Sequence, residues 1–168
     1  MKYVAFLRAI NVGGKHVVKM TDLKRLFETM GFTNVETFIA SGNVIFDAKK
    51  ASESKIEAAL RSALGYEVRT FLRTPTELAR IAALKDEDGT LYVGFMVDEA
   101  NAEAKQKVKA LCTPLDTLHA DGKEVYWLCR AERFSDTKIS GAAVEKALGQ
   151  ATTLRNITTI RKIAAKYN

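Results

Sequence analysis

The apolar residues of this chain recur with a spacing of two in some stretches and of about 3.6 in others, and the order of these stretches predicts the fold. Residues 3–10 are apolar on both alternating faces, which predicts a central strand covered on both sides. Residues 21–30 have helical spacing and end at Gly31. The other elements predicted in the first half are strands over residues 35–40, 44–46 and 67–72 and a helix that ends at Gly65. The order β-α-β-β-α-β predicts a ferredoxin-like unit.

The second half repeats this order of elements. Residues 91–97 are again apolar on both faces, and an Asp121-Gly122 turn joins two later strands as a hairpin. From about residue 91 to residue 155 the pattern predicts β-α-β-β-α followed by a last short strand at residues 151–154. The similarity between the halves is architectural, without repetition of individual residues. A helix over residues 157–167 completes the chain.

The predicted fold class is α+β, with two packed subdomains and a C-terminal helix. We expect a ferredoxin-like subdomain at residues 1–73 and a second, similar βαββα(β) subdomain, with the terminal helix, at residues 74–168. No stretch rich in proline, glycine or serine separates them, so we expect the subdomains to pack together rather than to move freely.

Polar residues mark three predicted helix starts. Ser54 and Glu57 have the spacing of a capping box, in which the serine accepts from an early backbone N–H and the glutamate reaches back. Thr74 precedes Pro75, and proline is favoured at the first helical position. Asn156 precedes the terminal helix and is its predicted N-cap residue.

Length and composition restrict the class of protein. A chain of 168 residues with 47% hydrophobic residues can bury a core without covalent cross-links. Its two cysteines, Cys112 and Cys129, lie in apolar patterns, which favours reduced core thiols over a disulfide or a cysteine metal site. The N-terminus lacks signal-peptide features, and no apolar run approaches the roughly 18 residues of a membrane span. We expect a soluble, cytoplasmic protein that does not engage membranes.

The net charge of +6 is concentrated at the two ends of the chain. Residues 1–19 hold four basic residues and no acid, and residues 153–168 hold four more and again no acid. If the fold brings the ends together, they form a local basic patch that would attract phosphate groups. The alternative is two separately solvated basic ends.

Polar residues collect where the first predicted strand ends and where the third begins. The first group comprises Arg8, Asn11, Gly13, Gly14 and Lys15, and the second comprises Ser41 and Asn43. Glycine lets backbone N–H groups approach an anion closely, and the arginine and asparagine add donors. Because the first and third strands of a ferredoxin-like unit are antiparallel neighbours, we expect the two groups to meet at one end of the sheet.

A structural interpretation of the same residues stays open. Gly13 and Gly14 can form a simple turn, and Asn43 can take a left-handed conformation in the hairpin loop. Arg8 lies in phase with apolar residues and can pair with a buried carboxylate or with helix-end carbonyls.

The motifs of the commoner phosphate, metal and nucleophile sites do not occur in the sequence. The two adjacent glycines lack the distal Gly-Lys-Ser/Thr of a P-loop, and no GxGxxG is present. His16 and His119 are isolated, and no Cys, His or carboxylate cluster has metal-ligand spacing. No nucleophile elbow is found. We therefore expect no metal and no cofactor, and the sequence predicts no reaction class.

Three separated motifs resemble those of the DUF1697 family. They are residues 3–14 with Met20, Ser41-Gly42-Asn43-Val44 with Phe46, and Thr153-Leu154-Arg155-Asn156 with Thr159. The resemblance covers nearly the whole chain and implies an α+β protein with a ferredoxin-like first subdomain, but no established activity. Because Arg155 and Asn156 belong to the third motif, we add them to the candidate ligand-binding residues. The chain departs from the family pattern at Ala9, where glycine is usual, and at Ile157, where tryptophan is usual.

The function favoured by these residues is binding of an anionic, phosphate-bearing ligand such as a nucleotide or a nucleic acid. Against an RRM-type function, the strand Val44-Ile45-Phe46 lacks the aromatic-rich pattern that stacks bases. Two alternatives stay open. One is a small-molecule enzyme of unspecified reaction class that acts on an anionic substrate, and the other is an oligomerisation or protein-interaction module. The sequence predicts no oligomeric state.

Overall fold

The computed structural model describes residues 1–8, 10, 17–38, 42–85 and 88–167. The chain divides into two compact units, each with its own four-stranded sheet. The first unit comprises Met1–Ala79 and Ile163–Asn168, and the second comprises Arg80–Lys162. The subdomain boundary at residues 73 and 74 stays a prediction.

The first sheet has the ferredoxin-like topology that the sequence predicts. The elements are β1 (Lys2–Leu7), α1 (Met20–Thr29), β2 (Thr33–Thr37), β3 (Asn43–Asp47), α2 (Glu53–Leu64) and β4 (Thr70–Arg73), followed by α3 (Pro75–Ala82). The strands lie in the order β2-β3-β1-β4, and all neighbouring pairs are antiparallel. One helix therefore connects β1 to β2 and another connects β3 to β4.

The second sheet has the same topology. Its elements are β5 (Thr90–Phe95), α4 (Ala102–Lys109), β6 (Asp116–Asp121), β7 (Glu124–Cys129), a short 3₁₀ helix (Phe134–Asp136), α5 (Gly141–Leu148) and β8 (Thr153–Asn156), followed by α6 (Ile157–Tyr167). The strand order is β6-β7-β5-β8, again antiparallel throughout. Two such sheets and six α-helices in the described residues confirm the α+β fold class. No helix in this part of the chain has the length and hydropathy to cross a membrane.

β1 is the strand covered on both faces that the sequence predicts. Val4, Ala5, Phe6 and Leu7 each expose at most 1% of their surface. Ala5 and Leu7 pack in a core with apolar residues of α1 and α2. Because the other face of the strand is also buried, the apolar run is nearly continuous rather than alternating.

Two of the three predicted helix starts are confirmed. The Glu77 N–H donates to Thr74 Oγ1 at 3.3 Å, and the Thr158 N–H donates to Asn156 Oδ1 at 2.9 Å. The predicted capping box of Ser54 is wrong, because α2 begins at Glu53, two residues before the start that a Ser54 cap implies. Ser54 thus lies within the first turn of the helix and cannot cap it.

A buried carboxylate ties β6 to β7 in the second unit. Asp116 is 1% exposed and accepts hydrogen bonds from Trp127 Nε1 at 2.9 Å, Thr113 Oγ1 at 2.8 Å and Thr137 Oγ1 at 2.9 Å. Burial acts to raise the pKa of Asp116, but these hydrogen bonds outweigh it and the pKa is lowered. The carboxylate is therefore held in its charged form.

Both cysteines are free thiols, in different surroundings. Cys129 is buried as predicted, and burial raises the pKa of its thiol. The prediction of a core position is wrong for Cys112, which is exposed. Its Sγ lies beside β6, where it accepts from the Leu118 N–H at 3.2 Å and donates to the Leu118 carbonyl at 3.4 Å. An edge position, rather than the core, thus accommodates this thiol.

Candidate functional site

The end of β1 and the start of β3 meet, as the sequence predicts. Phe6 pairs with Asn43 across the two strands. The Leu7 N–H donates to the Gly42 carbonyl at 2.8 Å, and the Arg8 N–H donates to the Arg69 carbonyl at 2.9 Å. Arg8 is half-buried and follows β1 directly.

Asn43 has a structural role within the first unit. It is fully buried, and its Nδ2 donates to the Phe38 carbonyl at 2.9 Å. The left-handed residue of the hairpin is Gly42, with φ +80°, and not Asn43. A Cβ at residue 42 would lie 3.2 Å from Leu7 Cβ, so glycine is required there both for its backbone angle and for space.

The strand-end cluster is the name we give to the predicted group Arg8, Asn11, Gly13, Gly14, Lys15, Ser41 and Asn43. Asn11, Gly13, Gly14, Lys15 and Ser41 lie outside the described residues, and their ligand role stays a prediction. Among the described residues, Arg8 lies opposite Arg69. The β1–β4 pairing ends at Leu7 and Thr70, and the hydrogen bond from the Arg8 N–H to the Arg69 carbonyl continues it by one residue. Arg69 lies 3.7 Å from Glu57 Oε2, so part of this positive charge is compensated.

Arg155 and Asn156 lie at the end of β8, in the second unit. Arg155 is 9% exposed, and its Nη1 donates to Thr153 Oγ1 at 2.7 Å and to the Leu154 carbonyl at 3.0 Å. Burial lowers its pKa to about 10, which leaves the guanidinium charged at neutral pH. Asn156 is occupied as the cap of α6. A ligand role for these two residues also stays a prediction.

One face of the second sheet carries an unusual row of side chains. Register places His119 of β6, Tyr126 of β7, Val93 of β5 and Arg155 of β8 side by side across the sheet. Directly paired residues of antiparallel strands share a face, so all four side chains lie on the same side. The core formed with α4 and α5 lies on the other side. Strands are spaced about 4.8 Å apart, so the backbones of Arg155 and Tyr126, two strands apart, are separated by about 10 Å.

A cavity of about 520 Å³ lies between this face and the end of α3. We call it the sheet-face pocket. Its lining consists of Arg80, Ile81, Leu84, Lys85, Leu91, Thr117, His119, Asp121, Tyr126 and Leu128. The volume falls within the range of roughly 300–1,000 Å³ that is typical of small-molecule sites.

The pocket combines aromatic rings with two cationic side chains. The His119 and Tyr126 rings stack with centroids 5.0 Å apart and planes 26° from parallel. Arg80 Nη2 lies 3.4 Å from Oε1 of the buried Glu124, and the arginine side chain is nevertheless 72% exposed. Lys85 is exposed as well. Such a site can take a planar apolar group against the rings and an anion beside the cations.

Arg161 of α6 holds the α3 end of the pocket in place. Its Nε donates to the Ala82 carbonyl at 3.2 Å, and its Nη2 donates to the Leu84 carbonyl at 2.6 Å. Carbonyls at a helix C-terminus lack partners within the helix, so a guanidinium there satisfies them and favours the helix dipole. The segment that carries Arg80 and Lys85 is thereby fixed.

Lys2 and Lys166, one from each basic end of the chain, lie close together in the first unit, and each lies beside an acid. Lys2 and Lys166 both lie near the Tyr167 ring, with Nζ to centroid distances of 5.8 and 5.2 Å. Each lysine also faces an acid, since Lys2 lies 3.0 Å from Asp47 and Lys166 lies 3.6 Å from Glu36. These two lysines therefore form neither an uncompensated basic patch nor two separately solvated ends.

The sequence did not predict the sheet-face pocket. Its residues come from the end of α3 and from alternate positions of three strands, and no contiguous motif marks them. The available signal was the alternation of polar Thr117, His119 and Asp121 with apolar neighbours in one short strand. The described residues include no group of three or more His, Cys, Asp or Glu placed to hold a metal ion.

The fold is similar to that of a solved structure, the conserved bacterial protein SP0830 from Streptococcus pneumoniae. The two chains are 21% identical, with a TM-score of 0.72 over 99% of this chain and 98% of the other. At this identity the likeness establishes the fold alone. No curated protein matches the sequence. The profile of a family described as a protein of unknown function, DUF1697, matches residues 1–126, and the chain therefore belongs to the DUF1697 family.

Proposed function

We propose that this protein binds a small phosphate-bearing ligand in the sheet-face pocket of its second unit. The observation that carries the proposal is a cavity of small-molecule size in which Arg80 and Lys85 stand beside a floor of apolar and aromatic side chains. Arg80 and Lys85 supply charged donors for a phosphate, and Arg80 is held by its ion pair with Glu124. Asp121 also lines the pocket, so the two cations stand beside one acid, next to the apolar part of the lining.

Arg155 adds to the positive field of this site. It is buried on the same sheet face as Tyr126, and its guanidinium is charged at neutral pH. A buried cation is screened by salt less than a surface cation, so we expect Arg155 to raise the electrostatic potential on this face of the sheet. This is how Arg155 contributes to anion binding without touching the ligand.

The strand-end cluster is the alternative site for such a ligand. Its support is the close placement of Arg8 and Arg69, whose backbones are joined by a hydrogen bond of 2.9 Å; Glu57 and Glu67 lie 3.7 and 3.9 Å from the Arg69 guanidinium. The predicted donors Asn11, Gly13 and Gly14 follow Arg8 in the sequence. The two regions belong to different units, so single substitutions distinguish them.

Calorimetric titration of adenosine 5′-monophosphate and of pyrophosphate at low salt tests the proposal. We expect Arg80→Gln combined with Lys85→Ala to weaken both ligands by at least about tenfold, because two charge-assisted contacts are lost. Lys146→Ala is the matched control, since Lys146 is exposed on α5, which packs on the opposite face of the sheet. Arg8→Ala is expected to leave binding unchanged.

Two results would contradict the pocket. In one, neither ligand binds the wild-type protein. In the other, Arg8→Ala abolishes binding while the pocket variant retains it, and the strand-end cluster is then the site. Urea titration of each variant, followed by the emission of Trp127, shows whether the second unit is folded.

A further inference from the structure

The two units share one scaffold but carry different residues at equivalent positions. In the first sheet the row that matches the pocket row consists of Glu36 on β2, Ile45 on β3, Val4 on β1 and Arg73 on β4. A buried arginine on the last strand and a buried valine on the central strand thus occur in both units. The difference lies in the outer two positions, where Glu36 and Ile45 correspond to His119 and Tyr126.

In the first unit the outer position of the row is occupied from within the protein. Glu36 accepts a short hydrogen bond from the Tyr167 hydroxyl and lies 3.6 Å from Lys166 Nζ. In the second unit the outer position is His119, which is exposed and stacks only on Tyr126 among the ring contacts of the described residues. The ring pair therefore lines a cavity rather than a packed contact.

The rest of the pocket wall favours a planar apolar group over a polyhydroxylated one. Ile81, Leu84, Leu91 and Leu128 supply much of the lining. A hydroxyl buried against such side chains without a hydrogen-bond partner is costly. The faces of a planar ring need no such partner and gain from stacking, and only its edge carries polar groups. Arg80 and Lys85, at one side of the pocket, can bind a phosphate whether it is joined to a ring or to a polyhydroxylated group.

We infer that the ligand of the sheet-face pocket is a phosphate joined to a planar ring, and that the ring stacks on His119 and Tyr126 while Arg80 and Lys85 bind the phosphate. The inference rests on the proposed function and narrows it. It selects nucleotide-like compounds over sugar phosphates and inorganic phosphates.

Titration of adenosine 5′-monophosphate, ribose 5-phosphate and adenosine against the same protein separates the ring from the phosphate. We expect the nucleotide to bind about tenfold or more tightly than ribose 5-phosphate, the range given by stacking one base on aromatic side chains. Tyr126→Leu should remove this preference and Tyr126→Phe should keep it, because phenylalanine retains the ring. His119→Ala, at an exposed position, is a second variant that reduces the preference without disturbing the core.

The outcomes distinguish the two proposals. If ribose 5-phosphate binds as tightly as the nucleotide, or if Tyr126→Leu and His119→Ala both leave the preference unchanged, the ring inference is overturned while the phosphate proposal stands. If neither phosphate compound binds, both are overturned.

Discussion

Removing the Asp116 carboxylate should destabilise the second unit more than any exposed acid does. Asp116→Ala leaves the indole N–H of Trp127 buried without an acceptor, which costs about 2 kcal/mol. The hydroxyls of Thr113 and Thr137 can turn to other acceptors, so losing their two bonds adds only about 1 kcal/mol. The expected total is about 3 kcal/mol, a large part of the roughly 5–15 kcal/mol that stabilises a typical domain.

Urea unfolding followed by tryptophan emission measures this loss directly, because Trp127 is the one tryptophan of the chain and lies in the second unit. With a slope of about 2 kcal/mol per molar urea, the midpoint should fall by about 1.5 M. Asp121→Ala, an exposed acid on the same strand, should shift it by less than about 0.3 M. Equal shifts for the two variants would refute the role assigned to Asp116.

Three further changes probe other parts of the molecule. Gly94→Ala places a Cβ 2.5 Å from a methyl carbon of Val125 in β7. We expect the free energy of unfolding to fall by roughly 1–3 kcal/mol in the same urea assay. An unchanged free energy would show that the strand can shift to make room. Arg161→Ala removes the hydrogen bonds that hold the end of α3. We expect faster amide hydrogen exchange over residues 80–85 and weaker nucleotide binding. An unchanged exchange pattern would contradict the role of Arg161 in positioning this segment. The hydrogen bond from Tyr167 lowers the pKa of Glu36, so its stabilisation is present above the unfolded pKa of about 4.3 and is lost as the pH falls through the lower folded value. Glu36→Gln should therefore flatten the acid dependence of the urea midpoint measured by circular dichroism, and an unaltered dependence would argue against this linkage.

Most strands were predictable because their apolar pattern is set by burial within a single element. The pattern predicts a strand at Glu124–Cys129, after the Asp121-Gly122 turn, and these are the bounds of β7. The predicted last strand of each half lies too far toward the N-terminus. The pattern predicts residues 67–72 where β4 is Thr70–Arg73, three residues early at its start and one at its end. It predicts residues 151–154 where β8 is Thr153–Asn156, two residues early at both ends. Both strands contain a buried arginine, which a polarity pattern assigns to a strand end or a loop.

The two buried arginines both donate hydrogen bonds to backbone carbonyls, an arrangement that the sequence pattern does not indicate. Arg73 Nη1 donates to the carbonyl of Leu72 at 2.7 Å, and Arg155 Nη1 donates to the carbonyl of Leu154 at 3.0 Å. Each guanidinium thus bonds to the backbone of the residue before it. A buried donor needs a partner but not an acidic one. Arg73 has both kinds, since its Nε also lies 3.8 Å from Glu77 Oε2, four residues along the chain.

The two candidate sites differ in whether their residues are grouped in the sequence or are brought together only by the fold. The strand-end cluster is a prediction that the sequence alone can make, because its residues form two short contiguous groups, one after β1 and one in the β2–β3 connection. The sheet-face pocket depends on the register between β6 and β7, which pairs His119 with Tyr126, and on the position of the α3 end. Register and helix placement follow from packing in three dimensions, so sequence alone could not bring these residues together.

The central claim is that a phosphate-bearing ligand binds in the sheet-face pocket, and amide chemical-shift mapping during titration with adenosine 5′-monophosphate tests it most directly. We expect saturable shifts at His119, Tyr126 and Leu128 and at the end of α3, with Gly42 and Asn43 unaffected. Shifts confined to Gly42, Asn43 and their neighbours in the first unit, or no saturable shift anywhere, would contradict the claim.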